Sequence, residues 1–153
     1  MAPTRRQMLE TGACLVAAAA TPRYAFAAVD LVPTNSIAPT PPEYVPGAPV
    51  RASLLADGPA TEHIRVFGRV LTTKGTPLKD ARLDVWQTDA AGHYDEGFRF
   101  RGRQFTDARG RYQLDTRMPG PYGGVRHIHF LLTTRAPGAP QPAFVTGIFS
   151  FPT

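Results

Sequence analysis

His63-Ile64-Arg65-Val66-Phe67-Gly68-Arg69-Val70-Leu71 alternates in character, with Ile64, Val66 and Val70 on one face and Arg65 and Arg69 on the other. A half-buried strand needs that period of two, because successive side chains leave opposite faces of the pleat. Lys74-Gly75-Thr76-Pro77 then turns the chain. Ala81-Arg82-Leu83-Asp84-Val85-Trp86-Gln87 alternates again, with Leu83 and Val85 read as inward and Arg82 and Asp84 as outward. Strand, short turn and strand is the grammar of an antiparallel sheet.

The surrounding sequence repeats that grammar. Asp89-Ala90-Ala91-Gly92 and Asp107-Ala108-Arg109-Gly110 are turns, and Arg111 to Thr116 reads as a strand. His127 to Thr133 and Phe144 to Phe151 are the last two strand candidates, and Asp95 to Phe105 reads as a loop walling a pocket. Nothing after Ala28 keeps a helical period. The expected fold is all-β: a two-sheet β-sandwich of short, mostly antiparallel strands with long loops, over residues 61–153. A chain of 153 residues suffices for one such domain with a modest core. Residues 28–60 carry Pro33, Pro39, Pro41, Pro42, Pro46, Pro49 and Pro59 and read as an extended arm, since proline fixes φ and lacks an amide donor.

Residues 1–27 read as an export signal. Arg5-Arg6 precede an apolar run, Ala13 to Ala20, and Ala25-Phe26-Ala27 is a small-x-small cleavage site. The paired arginines favour the twin-arginine route to the periplasm. The apolar run is too short for a permanent span, so no membrane insertion is expected once the signal is removed. The single cysteine, Cys14, lies inside this segment, leaving His, Tyr and carboxylates as metal ligands. The net charge of +5 falls to about +3 without Arg5, Arg6, Arg23 and Glu10. The remaining charge is scattered, which argues against nucleic acid as a partner and gives only a weak pull on anionic substrates.

Chemistry gathers in the last third of the chain. On a strand, His127 and His129 project together while Ile128, Phe130 and Leu132 project the other way. Such a pair is either two metal ligands or two hydrogen-bonded surface histidines. Tyr122 lies in the bend Pro119-Gly120-Pro121-Tyr122-Gly123-Gly124, and Tyr94 follows the turn at Ala91-Gly92-His93; each alone reads equally as a core or rim residue. Two phenolates with two neutral imidazoles suit Fe(III) better than Fe(II) or zinc. His63 reads as a surface residue, His93 as a rim residue, Trp86 as core, and Asp89 as a turn residue.

From about Pro42 to Phe151 the chain resembles the intradiol ring-cleavage dioxygenases, the family of protocatechuate and catechol dioxygenases. The resemblance runs through Tyr44-Val45-Pro46-Gly47, Asp84-Val85-Trp86-Gln87-Thr88-Asp89, Gly92-His93-Tyr94, Arg101-Gly102, Pro119-Gly120-Pro121-Tyr122 and His127-Ile128-His129-Phe130. It implies that Tyr94, Tyr122, His127 and His129 bind one Fe(III). It also implies that the substrates are an aromatic diol and dioxygen, and that Tyr122 is displaced by substrate and then acts as a base. Arg101 is implied as a neighbour of the site, and a homo-oligomer as the assembly. Three features depart from the family: Gly124 stands where an arginine is usual, Gly147 where an amide is usual, and the sequence ends early, at Thr153. Arg126 should point away from the metal. These departures leave a second reading: a transthyretin-like binding module or degenerate dioxygenase that holds metal or aromatics without turnover.

Overall fold

The structure, a computed structural model, describes residues 41–134 and 143–152. The export signal and the first part of the proline-rich arm lie outside the described residues. Among the described residues six strands form: β1 (His63–Arg69), β2 (Arg82–Gln87), β3 (Arg101–Phe105), β4 (Arg111–Arg117), β5 (Arg126–Thr134) and β6 (Ala143–Phe151). They make two antiparallel sheets, one of β1 and β4 and one in the order β3-β2-β5-β6. The all-β sandwich read from the alternation is the fold found. Among the described residues no helix is long and apolar enough to cross a membrane.

The core lies between the sheets. Leu83 and Val85 of β2, Ile128 and Phe130 of β5 and Leu114 of β4 meet there, joined by Leu54 and Phe100. Buried Gln87 ties the layers together: its Oε1 accepts from the Thr116 hydroxyl at 2.9 Å and its Nε2 donates to the Arg117 carbonyl at 2.9 Å.

Two expectations need correction. The segment Asp95 to Phe105 is not all loop, since Arg101–Phe105 is a strand. Arg-Gly-Arg-Gln-Phe has no apolar alternation to announce it; pairing with β2 in register Trp86↔Arg101 creates it. Asp84 does not face solvent either. It is 1 % exposed, with Arg103 Nε at 2.6 Å, Arg82 Nε at 3.1 Å and the Tyr44 hydroxyl at 3.4 Å. Both faces of β2 are covered, so polar alternation there marks a buried ion network and not an exposed face.

Residues 49–54 explain part of that cover. Arg51 N donates to the Arg103 carbonyl and Arg103 N to the Pro49 carbonyl, at 2.8 and 2.9 Å. Leu54 N and Asp115 N make the same exchange with β4, each at 2.8 Å. One extended segment thus pairs with an edge strand of each sheet, and Leu54 enters the core fully buried. Covering edges in this way removes unpaired strand backbone from solvent.

Candidate metal centre

The outer face of the four-stranded sheet carries the candidate residues. In β5, His127 and His129 project to this face and Ile128 and Phe130 to the core, as the alternation requires. The histidine ring nitrogens meet at a separation of 3.0 Å, Nε2 to Nε2. The Tyr94 hydroxyl is 3.3 Å from His127 Nε2. The Tyr94 ring meets Tyr122 edge-on, with centroids 5.1 Å apart.

Glycines let the two tyrosine loops approach. A Cβ on Gly92 would strike the Pro121 carbonyl, and one on Gly120 would strike the Gly92 amide and the Ala90 carbonyl. The loops also share hydrogen bonds, Gly120 N to the Asp89 carbonyl at 2.7 Å and the Thr88 hydroxyl to the Gly120 carbonyl at 2.8 Å. Asp89 organises the first loop, its Oδ1 accepting from the amides of Ala91 and His93. The backbone contact between these loops brings Tyr94 and Tyr122 together although 27 residues separate them in the chain.

The environment sets the proton states. His127 Nδ1 lies 3.1 Å from the Val125 carbonyl. A donor is needed at Nδ1, so the neutral ring presents a lone pair at Nε2. Burial, then the nearby His127, pulls His129 down to about 4, against a partial upward pull from Glu43. His129 is therefore neutral at ordinary pH. Its ring stacks on Trp86 at 5.1 Å and 9°, and its Nδ1 is buried without a hydrogen-bond partner. Burial, then the carboxylate of Glu43 and the neighbouring Tyr122, push the Tyr94 phenol well above the usual tyrosine range. A bound cation would reverse that shift by favouring phenolate.

These residues fit a metal ion. Two ligands at right angles on one ion, each about 2.1 Å from it, lie ~3.0 Å apart. Two imidazoles held at that spacing beside a phenol form a donor set that suits a cation. Among the described residues no group of three or more His, Cys, Asp or Glu could hold a metal. Tyr94 adds a phenolic oxygen to the two imidazoles, a donor that suits a hard ion such as Fe(III).

Tyr122 stands apart from the other three. It is 46 % exposed, and its hydroxyl donates to Glu43 Oε1 at 3.2 Å. Sequence reading missed Glu43, which sits among prolines with nothing to flag it. Tyr122 opens a two-residue hairpin, bonded both ways to Val125 at 3.0 and 3.2 Å. Gly123 and Gly124 occupy its centre with φ of 60° and 82°. A turn with both central residues at positive φ favours glycine, which accounts for Gly124 in this short hairpin.

Gly147 also changes meaning. It pairs with Phe130, and a side chain there would meet the Phe130 ring at 2.5 Å inside the core. Ile148 is the β6 residue opposite His129. Arg101 is 3 % exposed and gives all three nitrogens to carbonyls: Nε to Gly97 at 2.8 Å, Nη1 to Glu43 at 2.6 Å and Nη2 to Asp95 at 2.7 Å. It clamps the loop after Tyr94 to the arm. His63 is on the surface beside Asp115 at 2.9 Å, and Trp86 is 1 % exposed, both as read.

A family model described as Dioxygenase matches residues 40–151. The chain belongs to the intradiol ring-cleavage dioxygenase family. Within this dioxygenase family it is 40% identical over 93 residues to the protocatechuate 3,4-dioxygenase beta chain of Burkholderia cepacia, covering 48% of this chain and 40% of that one. It is 37% identical over 135 residues to the 6-chlorohydroxyquinol 1,2-dioxygenase of Cupriavidus pinatubonensis, covering 71% and 48%. The chain spans less than half the length of these curated relatives. The solved dioxygenase domain of a carbohydrate-binding fusion protein from Streptomyces sp. SirexAA-E has 38% identity and a TM-score of 0.64, covering 80% of this chain and 76% of that one. The 3-chlorocatechol 1,2-dioxygenase of Rhodococcus opacus 1CP has 27% identity and a TM-score of 0.64, covering 78% and 57%.

Proposed function

We propose that this dioxygenase binds Fe(III) through Tyr94, Tyr122, His127 and His129 and cleaves a catechol-type diol between its two hydroxyl-bearing carbons. The observation that carries the reading is that His127 Nε2 stands 3.0 Å from His129 Nε2 and 3.3 Å from Tyr94 Oη on one face of the sheet. When bound, Fe(III) supplies Lewis acidity and a template, so that an electron-rich diolate is held where dioxygen can react. Both oxygen atoms enter the muconate-type diacid, and no external reductant is required.

The protein's own residues prepare this chemistry. The Val125 carbonyl fixes the His127 tautomer, and burial keeps His129 uncharged. Trp86 beneath His129 sets the plane of that ring. Tyr122 is the base: as a phenolate it accepts a proton from a substrate hydroxyl at Oη. The neutral phenol that results can donate to Glu43, the bond present here.

The test is the visible spectrum of the mature protein loaded with iron. Phenolate-to-iron charge transfer should colour it, Tyr94→Phe should shift or abolish the band, and added catechol should move it. Folded protein that takes up no iron would refute the site. A second reading, binding without turnover, draws on the absence of an arginine at position 124 and on the Tyr122 hydroxyl being turned to Glu43. Coloured protein that binds diols and opens none would select it. Export through the twin-arginine route to the periplasm and a homo-oligomeric assembly are further proposals, from Arg5-Arg6 and the family respectively. Fractionation of cells and size-exclusion chromatography test them.

A further inference from the structure

We propose that Glu43 sets the charge selectivity of the site, disfavouring diols that carry an anionic ring substituent and favouring neutral or cationic ones. The proposal rests on the diol-binding reading above and specifies its substrate class.

Four observations carry it. Glu43 reaches the site, since its Oε1 accepts from the Tyr122 hydroxyl at 3.2 Å. It is also fixed there. Its carbonyl is held by buried Arg101 at 2.6 Å, and the next residue, Tyr44, packs on Trp86 with centroids 5.2 Å apart. Trp86 in turn stacks on His129. The backbone that carries the carboxylate is thus anchored, and the carboxylate itself makes an exposed hydrogen bond to Tyr122.

The third observation is that the described arginines nearby turn their nitrogens away from the site, and that the one buried among them, Arg101, faces two carboxylates, Glu43 and Asp95. Arg101 gives its nitrogens to the carbonyls of Gly97, Glu43 and Asp95. Arg99 lies 3.6 Å from Asp89. Arg126 precedes His127 in β5 and by alternation takes the opposite face. The nearby carboxylate of Asp95 adds negative charge, although its Oδ2 accepts from the amides of Gly97 and Arg99.

The fourth is the Tyr122–Val125 hairpin. Its positive φ at positions 123 and 124 favours glycine, so no arginine enters at the mouth. The chain as a whole is positive, yet the mouth of this site has a fixed negative group. For a small ligand the local charge decides, because a charge beyond a Debye length of about 8 Å is largely screened.

The test compares three diols on iron-loaded protein: catechol, 3,4-dihydroxybenzoate and 4-(2-aminoethyl)catechol. Binding is read from the shift of the visible band and, independently, from the rise in melting temperature. The amine should bind tightest and the benzoate weakest. Glu43→Gln, close in shape, should improve the benzoate-to-catechol affinity ratio about five- to tenfold and weaken the preference for the amine. Glu43→Asp should keep the wild-type order, and added salt should compress it. If wild type and Glu43→Gln bind the three diols in the same ratios, the inference is overturned while the diol reading stands. If iron-loaded wild type binds none of them, both are overturned.

Discussion

Gly92→Ala, read against Gly75→Ala, isolates the contact that builds the site. Both glycines have positive φ, 87° and 79°, so alanine meets the same backbone penalty at each, about 1 kcal/mol. Their surroundings differ. A Cβ at Gly75 finds nothing within 4 Å, whereas one at Gly92 strikes the Pro121 carbonyl, a backbone atom that cannot rotate away. Overpacking of that kind costs roughly 1–3 kcal/mol more. Gly75→Ala should therefore lose about 1 kcal/mol and Gly92→Ala about 2–4 kcal/mol. For a domain near 100 residues each kcal/mol lowers Tm by about 4–8 °C. Urea denaturation gives the difference directly, provided the slope with denaturant is unchanged. Gly92→Ala should also weaken iron binding, because the clash pushes the Tyr94 loop away from Tyr122. Equal losses at the two positions, with unchanged metal affinity, would refute the argument that this backbone contact positions the tyrosines.

Two further perturbations test other parts of the structure. Gly147→Gln places a side chain in the core against Phe130 and should cost roughly 1–3 kcal/mol; a variant with wild-type Tm would show that β6 presents this position to the site and not to the core. The carboxyl of Asp115 is held down at about 2 by hydrogen bonds from Arg65 and then His63, below its unfolded value of about 3.9. Because the folded value is the lower one, this stabilisation is complete above about pH 4 and is lost as pH falls through about 2. Asp115→Asn should flatten that limb of the Tm–pH curve, and an unchanged limb would remove Asp115 as its source.

Alternation in His63–Leu71, Ala81–Gln87 and His127–Thr133 was enough to read the strands and to put both histidines on one face, because the pleat converts sequence parity directly into direction. Arg101–Phe105 was illegible for the complementary reason. Its strand character comes from pairing with β2 and the arm, and no local period records a partner's backbone. Asp84 misled for a related reason, since alternation shows which face a residue takes but not whether something covers that face.

The candidate site divides the same way. The sequence by itself determined the β class and the paired imidazoles, from residue type and local spacing, and its resemblance to a known family implied that Tyr94 and Tyr122 join them. Only the tertiary structure decided how they meet. It showed that Gly92 and Gly120 bring two loops into backbone contact and that Arg101 fastens the arm. It also showed Glu43 holding the Tyr122 hydroxyl, Gly124 serving a hairpin and Gly147 facing Phe130. Each of these depends on the distance between atoms far apart along the chain, which the packing of two sheets and an arm sets and the local sequence does not encode.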